Sequence, residues 1–318
     1  MNNVALVIIY NHNYEKNIEP LEKIYKDRFD SIYHLMPFYR GEKDNVIEIY
    51  ENSYYFHGYV NQFYSQLKRK DYDHYFFIAD DLILNPKINQ NNYNQILNLE
   101  VNKSFLPGFI YLNQKSFWTH IKKAIKWSSK MPGLEINKSL PEFNTAVDIF
   151  KKNGIDYLPI NWRQLNTGKI NIFDSKKPFL IFKRLIIYSV FRVIFFSKLI
   201  YLFSTFKLKK LYLKYPMVGS YSDIFIVDSK SIADFSHYCG IFAVTELFVE
   251  IAIPTSLVLT GAKISQESDL TLNGGAIWHS DELNNILNDY DYSLKNLLNN
   301  FPKDKLYLHP IKLSLMKD

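Results

Sequence analysis

The chain has 318 residues, 47% hydrophobic and 22% charged, enough for one large α/β domain with a packed core and too apolar for global disorder. A single cysteine, Cys239, excludes a disulfide framework and a cysteine-built zinc cluster, and fits a reducing compartment. The net charge of +6 is concentrated: Lys176 to Lys214 holds ten Lys and Arg and no Asp or Glu, which leaves the remainder at about −4.

Val4–Tyr10 is a continuous apolar run, as a strand buried on both faces requires. It is too short and too poor in flanking basic residues for a signal sequence, so the expectation is a chain that stays in the cytoplasm. Asn11, His12 and Asn13 follow as a polar loop. Pro20–Arg28 reads as a helix with its proline in the first turn and Leu21, Ile24 and Tyr25 on its apolar face. Ser31–Phe38 and Val46–Tyr50 read as strands, His57–Lys70 as a helix, and Tyr75–Ala79 as a buried strand running into Asp80 and Asp81. This alternation predicts an α/β fold, a mainly parallel sheet flanked by helices, with ligands at the carboxyl ends of the strands, where Tyr10–His12 and Asp80–Asp81 fall.

Further along, Gly108–Leu112 and Ile155–Ile160 are candidate strands, Thr145–Asn153 a helix, and 161–175 a loop. Residues 179–206 are rich in Phe, Ile and Leu, but their uncharged runs are far shorter than the ~20 residues that span a bilayer. On a helix, Lys177, Arg184, Arg192 and Lys198 form one basic strip, as in a membrane-associating insertion on an anionic surface. A buried helix with snorkelling basic side chains and a protein interface are the other two readings. The excess of Phe, Ile and Leu argues against a nucleic-acid groove. After Pro216, Ser222–Val227 reads as a strand and Ile241–Ile251 as a helix that ends before Pro254. Ser256–Leu259 is a further candidate strand, Ser293–Asn299 a helix, and Tyr307–Leu308 a strand leading into His309. The whole, 1–318, reads as a single domain: 1–160, an insertion at 176–215, and 216–318.

The Asp80–Asp81 pair carries the most chemistry. Two carboxylates at a rigid strand end suit Mg²⁺ or Mn²⁺, which bridges a diphosphate and stabilises it as a leaving group; the same pair also serves as a polar turn. Tyr10, Asn11 and His12 are candidate nucleotide contacts. Glu246 and Glu250 are four apart and would share a helix face. Lys312 is a candidate partner for a phosphate charge, and Asn273–Trp278 a glycine-rich loop with an aromatic that could cover a sugar. His57, His74 and His279 have no assigned partner. No phosphate-binding P-loop or dinucleotide glycine fingerprint is present.

Tyr75-Phe-Phe-Ile-Ala-Asp-Asp-Leu-Ile-Leu-Asn-Pro86 resembles the acidic metal motif of GT-A glycosyltransferases, with Ala79 where the strict Asp-x-Asp spelling has Asp. Tyr221–Val227 with Ile241–Thr255 resembles the acceptor half of bacterial polysaccharide glycosyltransferases, and Leu308-His-Pro-Ile-Lys312 the late histidine of that fold. The resemblance covers roughly 1–160 and 216–318. It implies Asp81 and His309 around Mn²⁺ or Mg²⁺, with Asp80 reaching either the metal or the ribose. Glu250 is then the expected catalytic base, Glu246 the reserve, and Asp223 an acceptor contact. It further implies a nucleotide-sugar donor, a lipid-linked polyprenyl-diphosphate glycan acceptor, capsule or O-antigen synthesis, and a peripheral place on the inner face of the cell membrane. A sugar nucleotidyltransferase and a non-catalytic membrane-docked adaptor are the alternatives.

Overall fold

A computed structural model describes residues 3–114, 120–136, 138–160 and 211–317. The chain packs as two units, one formed by Met1–Leu112, His120–Tyr157 and Lys214–Asp318, the other by Asn113–Thr119 and Leu158–Leu213. In the second, the described residues include one isolated antiparallel bridge, Ile160 to Leu211. The loop expected at 161–175 and the insertion expected at 176–215 lie outside the described residues as far as 210. Among the described residues no helix is long and apolar enough to cross a membrane.

The first unit is built on a seven-stranded, mostly parallel sheet. Its strands are β1 (Val4–Ile9), β2 (Ser31–Pro37), β3 (Val46–Ile49), β4 (His74–Ala79), β6 (Lys103–Phe105), β7 (Ile224–Asp228) and β8 (Lys263–Ser265), in the order β3-β2-β1-β4-β7-β6-β8. β1 pairs parallel with β2 and β4, and β2 with β3. β7 runs antiparallel to β4 and β6. That reversal brings the start of β7 to the edge where β1 and β4 end. Two short strands, β5 (Ile83–Leu84) and β9 (Tyr307–Leu308), pair antiparallel as a separate ribbon.

β1 and β4 are buried along their whole length because helices cover both faces. Helices α1 (Ile18–Tyr25), α3 (Tyr93–Ile96) and α9 (Leu294–Asn299) pack with Leu6, Ile8, Phe76, Ile78 and Ile226 on one face. On the other, α2 (His57–Gln66) packs against α6 (Ile232–Val244), which packs against α7 (Val249–Leu259). Phe77 centres this second layer, stacked on Phe225 at 4.6 Å and meeting Phe63 at 6.1 Å. Truncating such a buried ring to Ala costs about 3–5 kcal/mol. Helices α4 (Ile121–Lys126), α5 (Phe143–Lys152) and α8 (Ser280–Asp289) complete the unit.

Five expectations are corrected. Gly108–Leu112 contributes only the bridge of Ile110 to Gly219, and Ile155–Ile160 only Ile160's. Ile241–Ile251 is not one helix: α6 ends at Val244 and α7 begins at Val249. The break is a left-handed cap, in which Glu246 takes φ 56° and Leu247 and Glu246 donate to the carbonyls of Phe242 and Ala243. Pro254 does not end α7 but lies inside it, and Ser256–Leu259 is its last turn rather than a strand. The proline is tolerated because the carbonyl it leaves without a helical partner, that of Glu250, accepts the N–H of Ser220 at 2.9 Å.

Candidate functional site at the carboxyl edge of the sheet

Asp80 extends β4, its N–H donating to the carbonyl of Ile9 at 2.9 Å. Its carboxylate is buried at the start of α1, where Asn17 Nδ2 donates to Oδ2 at 2.9 Å. Burial, reinforced by Asp81, pushes this carboxyl up to about 6, against the pull of Asn17, the Asn11 main-chain N–H and His12. Asn11 and His12 are exposed on the loop after β1, at the same edge as Asp80.

Asp81 belongs to a second group. The β5–β9 ribbon carries the C-terminal strand alongside it, and Ile311 donates its N–H to the Asp81 carbonyl at 2.6 Å. His309 Nε2 then stands 2.8 Å from Asp81 Oδ1, an ion-pair distance. The other ring nitrogen, Nδ1, is held by the Tyr221 hydroxyl. Burial would lower the His309 pKa, but the Asp81 carboxylate against it, with Asp223 and Asp80 nearby, raises it instead. Asp223 precedes β7, its carbonyl accepting the Ala79 N–H at 2.9 Å. Its carboxyl bonds to Tyr221 and lies in the field of His309 and Asp81, and burial holds its pKa above the usual range. A polar chain Asp223–Tyr221–His309–Asp81 thus crosses from β7 to the end of β4.

The other expected residues divide. Tyr10 is fully buried and its hydroxyl meets His34 Nδ1 at 2.9 Å, so this side chain is core and is not offered to a ligand. Lys312 is exposed one residue after the Ile311 anchor. Glu246 is the exposed cap residue of α6 and has Tyr55, not Asp81, as its neighbour. Glu250 sits in the first turn of α7, half-buried, its main chain tied to Ser220. It is therefore early on its helix, not late as expected. Among the three candidate bases, Asp223 is the one whose carboxyl meets the Asp81–His309 pair.

Of the unassigned histidines, His57 and His74 are buried, the latter between the Tyr93 hydroxyl at 2.8 Å and the Lys103 carbonyl at 3.0 Å, and His279 precedes α8.

Several contributors escaped the sequence reading. Asn17 lies in a turn of ordinary composition. Phe38 and Tyr50, at the carboxyl ends of β2 and β3, are 55% and 58% exposed and meet edge to face at 5.9 Å. Phe38 adopts φ 53°, an uncommon and strained backbone for an aromatic residue. The aromatic placement at strand ends was the available signal.

Asp81 and His309 fit a divalent ion. Asp81 Oδ1 is buried, with the His309 imidazole at 2.8 Å. It faces an imidazole nitrogen whose ring is oriented from behind by Tyr221, as metal-binding histidines are. Among the described residues no three His, Cys, Asp or Glu converge as a metal-binding group, so the remaining ligands would come from a diphosphate and water. Asp80 is engaged by Asn17 and adds no third side chain. One carboxylate and one imidazole suit Mn²⁺ better than Mg²⁺, which favours oxygen alone.

No family model matches the chain, and no curated protein matches it significantly.

Proposed function

We propose that the chain is a metal-dependent glycosyltransferase of the GT-A type, moving a sugar from a nucleotide-sugar donor to a lipid-linked glycan acceptor in capsule or O-antigen synthesis. The observation that carries the reading is the meeting of Asp81, His309 and Asp223 at the edge where β1 and β4 end, the ligand edge of an open α/β sheet. Asn11, His12 and Asp80 would hold the nucleoside, with Phe38 and Tyr50 beyond them toward the base. Asp81 and His309 would hold Mn²⁺, which supplies charge stabilisation to the diphosphate leaving group. Asp223 takes the acceptor hydroxyl proton while the new C–O bond forms at the anomeric carbon and the bond to diphosphate breaks. Tyr221 would fix the His309 ring, and Lys312 would meet phosphate charge. The basic apolar stretch Lys176–Lys214 would hold the enzyme against an anionic inner-leaflet surface, where a polyprenyl-diphosphate acceptor lies.

The test is a screen of nucleotide sugars for hydrolysis and transfer with Mn²⁺ or Mg²⁺. Turnover of one donor, abolished by chelator and by Asp81→Asn, supports the reading. Absence of nucleotide binding across UDP-, GDP-, CMP- and dTDP-sugars with either ion removes it.

A further inference from the structure

A large exposed aromatic side chain stands at the rim of this site. Trp278 is 71% exposed, with its ring edge to face with Tyr221 at 6.0 Å. Tyr221 in turn stacks on Tyr307 at 6.0 Å and 7° between planes. Isolated apolar residues on a surface need no special explanation. This one is not isolated, and it does not sit on a loose loop.

The segment before it is pinned along its length to the strand that carries His309. Asn273 donates to Asp304 and accepts from Leu306; His309 donates to Gly275; Ile277 donates to His309 at 2.7 Å. Glu267 accepts the Gly274 N–H at 3.2 Å and the Tyr307 hydroxyl at 3.2 Å. The two glycines permit this approach: a Cβ on Gly275 would lie 1.9 Å from the Tyr307 carbonyl oxygen, and one on Gly274 would lie 2.6 Å from the Glu267 carboxylate. Trp278 is thus held on a backbone paired with His309 itself.

We propose that Trp278 is a stacking platform for a pyranose ring at the sugar side of the site. An indole face supplies apolar area for the C–H face of the ring, while the carboxylates of Asp223 and Asp81 nearby accept hydrogen bonds from its hydroxyls. A nucleobase is the other flat ligand, and the strand order argues against it here. Trp278 and Tyr221 lie on the β7 side of β4, whereas Asn11, His12, Phe38 and Tyr50 lie on the β1–β3 side. The identity of the sugar as a transferred or accepting unit rests on the transferase reading; the platform itself is tested separately.

The experiment is saturation-transfer NMR on the full-length protein with a panel of methyl glycosides of glucose, galactose, mannose and N-acetylglucosamine, beside calorimetry with UDP and Mn²⁺. In wild type, at least one glycoside receives saturation at its ring protons. In W278A its affinity falls by about tenfold or more, and in W278F most of it returns. UDP–Mn²⁺ binding changes by less than about twofold in either variant. No glycoside signal in wild type overturns the proposal, as does a signal unchanged in W278A. Loss of UDP binding in W278A with the glycoside signal intact also overturns it, because the ring would then stack on a base. Glycoside binding lost in W278A in a protein that binds no nucleotide leaves the platform standing and removes the transferase reading. Because Trp278 is exposed, its truncation leaves no cavity in the core, and an unchanged melting temperature checks this.

Discussion

Asp223 gives its main-chain carbonyl to the N–H of Ala79 at 2.9 Å, so the residue before the antiparallel strand and the last residue of β4 are one hydrogen bond apart. This is why Asp223, and not a glutamate on the neighbouring helices, has its carboxyl beside Asp81 and His309. Asp223→Asn should keep nucleotide and metal binding while turnover falls by about 100-fold or more, the range for a lost general base. Glu250→Gln should fall far less, and Glu246→Gln should change nothing, since Glu246 serves as an exposed helix cap. Rates on one donor–acceptor pair decide the order. A dead Glu250→Gln beside an active Asp223→Asn would return the base to α7.

The Asp81–His309 pair makes a separate prediction about binding. Asp81→Asn should abolish Mn²⁺-dependent nucleotide binding with the fold intact, because a neutral amide is a poor ligand for a hard cation. His309→Ala should weaken it strongly. Tyr221→Phe removes the hydroxyl that orients His309 Nδ1 and should weaken Mn²⁺ by about 10–100-fold, the usual cost of losing an orienting partner behind a ligand. Calorimetry with UDP across a Mn²⁺ series measures all three. Wild-type affinity in Tyr221→Phe would show that the ring needs no such support.

Gly275 tests the pinned loop. Gly275→Ala places a methyl group against the Tyr307 carbonyl, where neither backbone has room. The loop must part from β9, at a cost of about 1–3 kcal/mol and with displacement of the His309–Gly275 hydrogen bond. Melting temperature and UDP–Mn²⁺ affinity should both drop. A variant as stable as wild type would mean that the segment relaxes freely.

The strands that frame the site were legible because their signals are local. Val4–Tyr10 and Tyr75–Ala79 are unbroken apolar runs, and a polar residue follows each. Asp80 and Asp81 stand out in the same way, at the end of such a run, whereas His309 was expected beside them only from the resemblance. What escaped depends on tertiary contact. The three-residue strands β6 and β8 have too little pattern to be read. α7 is apolar nearly all round, so its period is invisible, and Pro254 looks like a terminator unless the Ser220 N–H is known to satisfy Glu250. Tyr10 follows a strand like a ligand contact does, yet His34, one strand away, turns it into core. The place of Asp223 beside His309 was not legible, because only the reversal of β7 brings it to this edge.

Arg184, Arg192 and Lys198 of the basic stretch lie outside the described residues, and the prediction for them rests on charge. Arg184, Arg192 and Lys198 replaced by Glu should abolish binding to vesicles containing anionic lipid, since each basic residue near such a surface contributes about 1 kcal/mol. Wild-type binding should fall with added salt. Activity on a short water-soluble acceptor should survive. Co-sedimentation with vesicles measures the effect, and a triple variant that still binds them would favour a buried or protein-facing role.

Acid should destabilise the fold through its buried histidines. Burial lowers His57 to about 3 and His34 to about 4, the latter against the pull of Glu22 at 3.7 Å. Unfolded, both titrate near 6.5. Between that value and the folded one, the unfolded chain holds a proton that the native chain does not, so stability falls as pH falls. Each histidine contributes up to about 1.4 kcal/mol per pH unit in that window and nothing further below its folded value. Asp80 opposes this, as do Asp223 and His309, whose folded pKa values are also raised: with a folded pKa of about 6, Asp80 takes up a proton first in the native state, which adds stability as pH drops from 6 toward 4. The two signs are separated by His57→Gln, whose amide does not titrate. Urea midpoints measured from pH 7.5 to 4.5 should decline in wild type and decline less steeply in His57→Gln. Equal slopes in the two proteins would mean that His57 is protonated in the native state or reached by water there.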